Sequence, residues 1–259
     1  MRASDNRCSK RTSRTLGGGG KTVNQAKVFF DPAEDGTPEK DWLSLLDNAR
    51  DWAPQAGPLI VVAPHPDDEI LGAGGLVHSW ASAGHAVTVV SVTSGEAADT
   101  SREDLHLVRR AELRKALRTL SLVHIEVRCL HIPDGKVKDH QNRLRGALEE
   151  LVREAVTIIA PFEHDGHSDH EATGQVALDV ARSYSVPIAR YPVWLWHHTD
   201  SAAVERLRWG VFRLGRAAHR AKTLALRCFE SQFMSPHGAP IVPPHVLAHF
   251  ERSFEAFVL

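Results

Sequence analysis

Cysteine is scarce in this sequence of 259 residues. There are three, Cys8, Cys129 and Cys228, an odd number, far apart and without a CxxC pair. This pattern favours reduced thiols in a cytoplasmic protein and argues against a thiolate zinc site. Long apolar runs are also missing: no stretch approaches the roughly 18 residues of a membrane helix. Residues 1–27 lack the apolar core of a secretory signal.

An excess of charge of one sign is absent as well. Lys and Arg total 31 against 32 for Asp and Glu, which gives a formal net charge of −1. No whole-chain attraction to nucleic acid or to an anionic membrane follows from that balance. Hydrophobic residues make up 42% of the chain and charged residues 24%. That composition is ordinary for a globular protein with a sizeable core.

The order of segments predicts a loose arm followed by one α/β domain. Residues 1–27 are polar and basic and contain four consecutive glycines, which predicts a disordered arm. We expect residues 28–259 to form a single domain that opens with a short amphipathic helix around Trp42–Trp52. Strand-like and helix-like segments then alternate, which indicates a Rossmann-like open, mostly parallel sheet with helices on both faces. The predicted strands are 59–63, 86–92, 124–130, 156–161 and 186–196, and the predicted helices are 70–83, 102–121, 142–155, 171–183, 204–207, 216–228 and 246–257.

Polar side chains follow the first predicted strand. After Leu59–Ala63 and a proline comes the run His65-Pro66-Asp67-Asp68-Glu69, at the point where a helix should begin. Open α/β sheets place their active sites at the carboxyl ends of such strands. An imidazole and two carboxylates are compatible with a bound metal ion. For either aspartate taken alone, a helix N-cap is the alternative.

A second polar cluster follows the fourth predicted strand, and it contains Gly166-His167-Ser168-Asp169-His170. The first and fourth strands of a doubly wound sheet can be neighbours at its switch point, so the two clusters can converge. His and carboxylate ligands with an open position favour a catalytic divalent ion such as zinc. Adjacent residues at a helix start point about 100° apart. Asp67 and Asp68 should therefore differ in role, one as ligand and the other as general base.

With these motifs the chain resembles the PIG-L/LmbE-like deacetylases, zinc-dependent enzymes that remove N-acetyl groups from N-acetylglucosaminyl substrates. The family's A-H-P-D-D-E corresponds to residues 63–69, with one proline inserted, and its G-H-P-D-H to residues 166–170, with serine for proline. The resemblance spans Pro58 to Gln232. Weaker similarities occur in the family's order at residues 93–96, 109–113, 133–135, 222 and 231–232.

The resemblance implies a metal site. His65, Asp68 and His170 would hold zinc, with iron(II) as the alternative ion. Asp67 would be the base that deprotonates the metal-bound water. Some relatives carry a tyrosine where this chain has Asp165, so an oxyanion role for a tyrosine hydroxyl at that position is in doubt.

The resemblance also implies roles around the metal. His167 would be the protonated partner of the oxyanion or of the leaving amine, and Asp169 would orient it. Arg109 and Asp134 would bind substrate. A surface pairing of Arg109 with Glu112 is the alternative for the arginine, and an Asp-Gly turn is the alternative for the aspartate.

The implied function is removal of an N-acetyl group from an N-acetylglucosaminyl-type amino-sugar conjugate, a small-molecule substrate. A metal-dependent amidase for another N-acyl substrate, such as an antibiotic or lipid intermediate, is one alternative. A non-catalytic sugar-binding module is another, although its ligand set would be expected to be damaged. The oligomeric state, a homo-oligomer included, stays open.

Two further segments have competing interpretations. Gly72-Ala73-Gly74-Gly75 lacks the order G-x-G-x-x-G and lies inside a predicted helix, which favours close helix packing over a dinucleotide loop. The aromatic segment Tyr191–His198 either continues the fifth strand or lines an acceptor pocket. Whether His197 and His198 reach the site stays open at this point.

Overall fold

The computed structural model describes residues 30–99, 102–120, 125–234 and 240–259. The predicted arm at 1–27 lies outside these residues. The eight strands are β1 (Arg50–Asp51), β2 (Leu59–Ala63), β3 (Val87–Ser91), β4 (Glu126–Cys129), β5 (Thr157–Pro161), β6 (Ile188–Tyr191), β7 (Trp209–Arg213) and β8 (Phe254–Val258). The α-helices are α1 (Glu39–Leu46), α2 (Asp68–Ser82), α3 (Leu105–Leu120), α4 (Gln141–Leu151), α5 (Ser168–Tyr184), α6 (Leu195–His198), α7 (Arg216–Leu226), α8 (Glu230–Phe233) and α9 (Pro244–Leu247).

The strands form one sheet in the order β1-β7-β8-β6-β5-β2-β3-β4. All pairs are parallel except those of β8, which runs antiparallel to β6 and to β7. This arrangement confirms the predicted mostly parallel α/β sheet. It also confirms that the first and fourth predicted strands, β2 and β5, are neighbours. Connections leave these two strands in opposite directions along the sheet, which makes their carboxyl ends the switch point.

Strand β2 is buried on both faces. Leu59 and Val61 belong to the core cluster that contains the inward residues of α2, α3 and α7, whereas Ile60 and Val62 belong to the cluster that contains those of α4 and α5. A β-branched run without polar alternation is what a strand covered by helices on both sides requires. The site at its end therefore follows a strand that is buried throughout and paired on both edges.

Helix α2 packs closely on the sheet. A Cβ atom on Gly72 would lie 2.2 Å from the ring of Tyr191, whose hydroxyl donates to the carbonyl of Val62. The glycine run therefore serves close packing, as the sequence predicts. A buried ion pair also holds this helix: Lys222 donates to the carbonyl of Leu71 and to Glu255, and Glu255 accepts the backbone N–H groups of residues 75 and 76.

Several predicted boundaries were wrong. The helix expected at 246–257 is a short helix, α9, with a 3-10 turn, followed by the strand β8. Strand β7 occupies a stretch for which the sequence predicts no element, and β6 ends at Tyr191 rather than at residue 196. No helix in the described part of the chain is long and apolar enough to span a membrane.

Candidate metal and catalytic site

The two polar clusters meet at the switch point between β2 and β5. His65 and Asp67 lie between β2 and α2, and Asp68 is the first residue of α2; His167 directly precedes α5, and Asp169 and His170 lie in its first turn. All six side chains are buried. The structure therefore brings together the six residues that the sequence singles out for metal binding and acid–base chemistry.

Three donor atoms form a nearly equilateral triangle. His65 Nδ1 lies 3.2 Å from His170 Nε2, and Asp68 Oδ2 lies 3.3 Å from each of these nitrogens. Tetrahedral zinc with bonds of about 2.0–2.1 Å holds its ligand atoms about 3.3 Å apart. Two imidazole nitrogens and one carboxylate oxygen in this spacing fit a divalent ion that keeps an open coordination position.

Two wider groupings of donors share His65. Its ring lies within 4.8 Å of ligand atoms of His167 and His170, and within the same distance of Asp134 and Asp169. We favour the triangle with Asp68, because its 3.2–3.3 Å sides match the spacing of ligand atoms around a single ion.

The electrostatic environment favours a cation at this position. Burial alone would lower the pKa of His170, but the carboxylates of Asp68 and Asp165 raise it to about 9. The pKa of His65 is likewise raised well above its usual value by Asp134, Asp169 and Asp68, against the effect of burial. Surroundings that stabilise an imidazolium also stabilise a metal cation bound to the same nitrogens.

Asp67 occupies a strained backbone position. Its φ is 140°, and its side chain makes no capping hydrogen bond to α2. Asp67 thus occupies the N-cap position of α2, but its side chain does not cap the helix. Its N–H donates to Glu69, and its carboxylate accepts from Arg109 Nη2 at 3.3 Å. Residues held at such φ values cluster at active sites, where the surrounding structure determines them.

The pKa of the Asp67 carboxyl group lies close to neutral pH. Burial raises its pKa to about 7, with a further contribution from Asp68, while the guanidinium of Arg109 acts in the opposite direction. A general base works best when its pKa lies close to the working pH.

His167 differs from the sequence prediction in its protonation. Its Nδ1 accepts the backbone N–H of Asp169 at 3.2 Å, so the ring carries its proton on Nε2. Burial, together with His170 and His65, lowers its pKa well below the usual value. A neutral imidazole that donates from Nε2 fits these contacts, whereas the expected histidinium does not.

Asp169 and Asp134 both have a carboxylate oxygen against the ring of His65. Asp169 Oδ2 lies 3.4 Å and Asp134 Oδ1 3.2 Å from His65 Nε2. Asp169 also accepts the N–H groups of Gly135 and Val137. The expected contact between its carboxylate and His167 is replaced by this contact with His65. Asp134 also lines the cavity, where its substrate role stays a prediction.

Arg109 is buried and points into the site. Its guanidinium donates to the carbonyls of Gly95 and Pro66 and to the carboxylate of Asp67. A surface pairing with Glu112 is therefore wrong, since Glu112 instead accepts from Ser231. Gly95 leaves no room for a Cβ beside the guanidinium.

Asp165 is a buried neighbour of His170 to which the sequence motifs assign no role. Its Oδ2 lies 2.8 Å from His170 Nδ1, and its two oxygens accept the backbone N–H groups of Val193, Trp194 and Leu195. A carboxylate on the far nitrogen of a ligand histidine fixes its tautomer and orientation. The position of Asp165, five residues before His170, is the sequence signal for their contact. The loop 193–195, whose N–H groups Asp165 accepts, is remote in sequence, so no signal in the motif indicates that contact.

A cavity of about 570 Å³ opens beside the donor triangle. Its lining includes His65, Asp67, Asp68, His167 and residues of three loops. Trp194 is among them, so one tryptophan of the aromatic segment lines the cavity. Trp196 instead packs in the core against Trp42 and Trp209. His197 and His198 bond to backbone carbonyls of Asp31 and Asp165 and contribute no donor to the triangle.

Residues 60–181 match the protein family described as PIG-L, GlcNAc-PI de-N-acetylase. A curated relative from Bacillus subtilis (strain 168), described as a probable N-acetyl-alpha-D-glucosaminyl L-malate deacetylase 2, is 28% identical over 131 residues. The alignment covers 46% of this chain and 58% of that relative. The chain thus spans little more than half the length of the curated relatives it matches.

Solved structures share the fold. The N,N'-diacetylchitobiose deacetylase from Pyrococcus horikoshii, in complex with its inhibitor, is 22% identical with a TM-score of 0.55, covering 78% of this chain and 82% of that one. A zinc-inhibited form of teicoplanin deacetylase is 19% identical with a TM-score of 0.55, covering 70% and 87%. Both confirm the α/β architecture predicted from the sequence.

Proposed function

We propose that this chain, whose residues 60–181 match the PIG-L family of de-N-acetylases, is a zinc-dependent N-deacetylase acting on an N-acetylglucosaminyl-type conjugate. The observation that carries the proposal is the triangle of His65 Nδ1, Asp68 Oδ2 and His170 Nε2, with 3.2–3.3 Å sides, next to the strained Asp67. A carboxylate and two imidazoles with a base beside them are the residue types that hydrolysis of an unactivated amide requires.

In this proposal His65, Asp68 and His170 hold the ion. When bound, a zinc ion acidifies a water and polarises the acyl carbonyl. Asp165 keeps the proton of His170 on Nδ1, which leaves Nε2 to face the ion. Asp134 and Asp169 do the same for His65 at its Nε2, leaving Nδ1 to face the ion. Iron(II) would suit the same ligands.

Asp67 is the general base. Its carboxylate takes the proton of the attacking water and returns it to the departing nitrogen, so that amide and water become acetate and a free amine. Arg109 is a positioning residue in this scheme, because its Nη2 holds Asp67 Oδ2 and the backbone carbonyl of Pro66. One oxygen of Asp67 is thereby oriented, and the other serves the proton transfer.

His167 stabilises the negative charge that develops on the acyl oxygen. Because its Nδ1 accepts a backbone N–H, the proton on Nε2 is the one that the ring can direct into the cavity. A fixed donor in a buried site costs little reorganisation during the reaction. Some relatives carry a tyrosine at the position of residue 165. This chain has an aspartate there, so we assign the contact with the oxyanion to His167 instead.

The proposal also covers the cellular compartment and the kind of substrate. We propose a cytoplasmic protein that acts on a small-molecule substrate; Cys129 and Cys228 are both free thiols, as a reducing compartment keeps them. A different N-acyl substrate on the same machinery is the second candidate, because the cavity is much larger than an acetyl group needs.

The test combines metal analysis with product release. The protein purified without added metal, and again after loading with zinc, is assayed for bound metal and for acetate released from N-acetylglucosaminyl glycosides. We expect about one zinc per chain, and we expect Asp67→Asn to lose roughly 10²–10⁴-fold in kcat with its zinc retained. Asp139→Asn, an exposed carboxylate on the surface near Lys136, is the matched control. A protein that takes up no divalent ion, or an Asp67→Asn variant as fast as the parent, contradicts the proposal.

A further inference from the structure

The cavity has an apolar wall in addition to the donor cluster. Three loops contribute to it: residues 30–33 before α1, residues 193–194 after β6, and residues 240–243 before α9. The apolar side chains that the argument uses are Phe30, Pro32, Trp194, Ile241, Val242 and Pro243. A volume of 570 Å³ lies in the range of sites that enclose a whole small molecule, mostly through apolar contacts.

This wall is fixed to the catalytic cluster. The Trp194 N–H donates to Asp165, the same carboxylate that contacts His170. The ring of Phe30 packs on Trp194 with centroids 5.2 Å apart. On another side of the cavity, Val242 donates its N–H to the carbonyl of Gln232, which is itself buried and lines the cavity. The wall is therefore in place before a substrate arrives.

The described lining of the cavity offers no free positive charge to an anionic substrate group. Four carboxylates line it, and three of them have positive partners in the proposed site: Asp68 the ion, Asp67 the guanidinium of Arg109, and Asp134 the ring of His65. Of the lining residues that the structure describes, Arg109 alone carries a permanent positive charge, and its guanidinium already donates to Asp67 and two carbonyls. Carboxylates and phosphates are held in proteins by available Arg or Lys donors, and the described residues of this wall offer none of them.

We infer that the amino sugar of the substrate is joined to an uncharged, apolar group that packs on this wall, and not to a dicarboxylate or phosphate. The inference rests on the proposed deacetylase function. It adds the chemical class of the group that is attached to the sugar. The reaction keeps its balance: the amide bond and one water give acetate and the free amine, while the glycosidic bond to the apolar group stays intact.

The test compares three acetylated substrates on the zinc-loaded protein: N-acetylglucosamine, its octyl α-glycoside and its L-malate α-glycoside. We expect kcat/KM for the octyl glycoside to exceed that for the malate glycoside at least tenfold, with the free sugar below the octyl compound. A malate glycoside that is hydrolysed as well as or better than the octyl glycoside overturns the inference and leaves the deacetylase function standing. Absence of acetate from all three overturns the proposed function itself.

A charge introduced into the wall gives the second arm. Ile241 is half-buried in the wall, so Ile241→Arg should lower kcat/KM for the octyl glycoside and raise it for the malate glycoside, shifting their ratio at least tenfold. Leu224→Arg, on the outer face of α7 and 41% exposed, is the matched control and should leave the ratio unchanged. Calorimetry measures the affinity for octyl α-glucosaminide, the product. This affinity should fall in Ile241→Arg, together with kcat/KM for the octyl glycoside, and stay unchanged in Leu224→Arg. A ratio that stays constant in Ile241→Arg, with the unfolding midpoint unchanged, overturns the assignment of this wall.

Discussion

At the scale of single residues, Asp165 connects the candidate metal site with the wall of the cavity. One carboxylate orients His170 and also accepts three consecutive backbone N–H groups at 193–195. A neutral amide of the same shape has only one acceptor oxygen and brings two donors of its own. The contacts of Asp165 therefore need a carboxylate with two acceptor oxygens.

We therefore expect Asp165→Asn to weaken zinc binding about 10–100-fold, since His170 loses the acceptor that fixes its ring. Competition with a chromogenic chelator measures the zinc affinity. Asp179→Asn is the control, because Asp179 accepts from Gln175 and Arg145 on the surface. An unchanged zinc affinity in Asp165→Asn would mean that His170 is oriented by packing alone.

The core of the candidate site was predictable from the sequence, because its residues lie in two short motifs at strand ends. His65, Asp67, Asp68 and His170 meet as those motifs indicate. The roles of Asp165 and Asp169 were not predictable, since they depend on which remote loop or ring each carboxylate reaches. The ring nitrogen of His167 that carries the proton was not predictable either, because it depends on a single backbone N–H, that of Asp169.

At the scale of helices and strands, the fit of α2 against β6 depends on Gly72. The ring of Tyr191 occupies the space that a side chain would need, and the hydrogen bond to Val62 keeps that ring in place. In α4, by contrast, a Cβ atom on Gly146 would have no neighbour within 4 Å. The two helical glycines should respond oppositely to the same substitution.

Gly72→Ala should lower the free energy of unfolding by about 1–3 kcal/mol through overpacking. Gly146→Ala should raise it by about 0.4–1 kcal/mol, because alanine restricts the unfolded chain without strain in the helix. Urea titration followed by circular dichroism measures both. Changes of the same sign in the two variants would argue against the close packing of α2 on Tyr191.

The elements themselves were predictable where local pattern and tertiary environment agree. The apolar runs of β2 and β5 are buried on both faces, as their composition requires. The stretch 246–257 misled because apolar residues at 246, 250, 254 and 257 follow helical spacing. Pairing of β8 with β6 and β7 outweighs that local pattern, and no short window of sequence contains such pairing.

At the scale of the whole molecule, the donor triangle joins turns that lie far apart in sequence. His65 and Asp68 lie at the start of α2, and His170 lies in the first turn of α5. An ion held by all three should bind the folded chain far better than the unfolded one. Binding of this kind stabilises the fold by an amount set by concentration and affinity.

Zinc at a free concentration of about 100 Kd should therefore add about 2.7 kcal/mol to the stability of the fold, which corresponds to a Tm increase of roughly 5 °C or more. Differential scanning calorimetry with and without a chelator measures the shift. His170→Ala should abolish it, whereas His140→Ala, outside the site, should retain it. A shift of equal size in both variants would locate the ion elsewhere.

The antiparallel strand β8 has a consequence for chain integrity. It lies between β6 and β7 and, among the described strands, it alone pairs with both. A form of the protein clipped before Phe254 would therefore leave two open strand edges inside what was one sheet, each able to recruit another chain. Proteolytic loss of these few residues would turn a continuous sheet into a template for aggregation, even though every residue of the metal site remained in the chain.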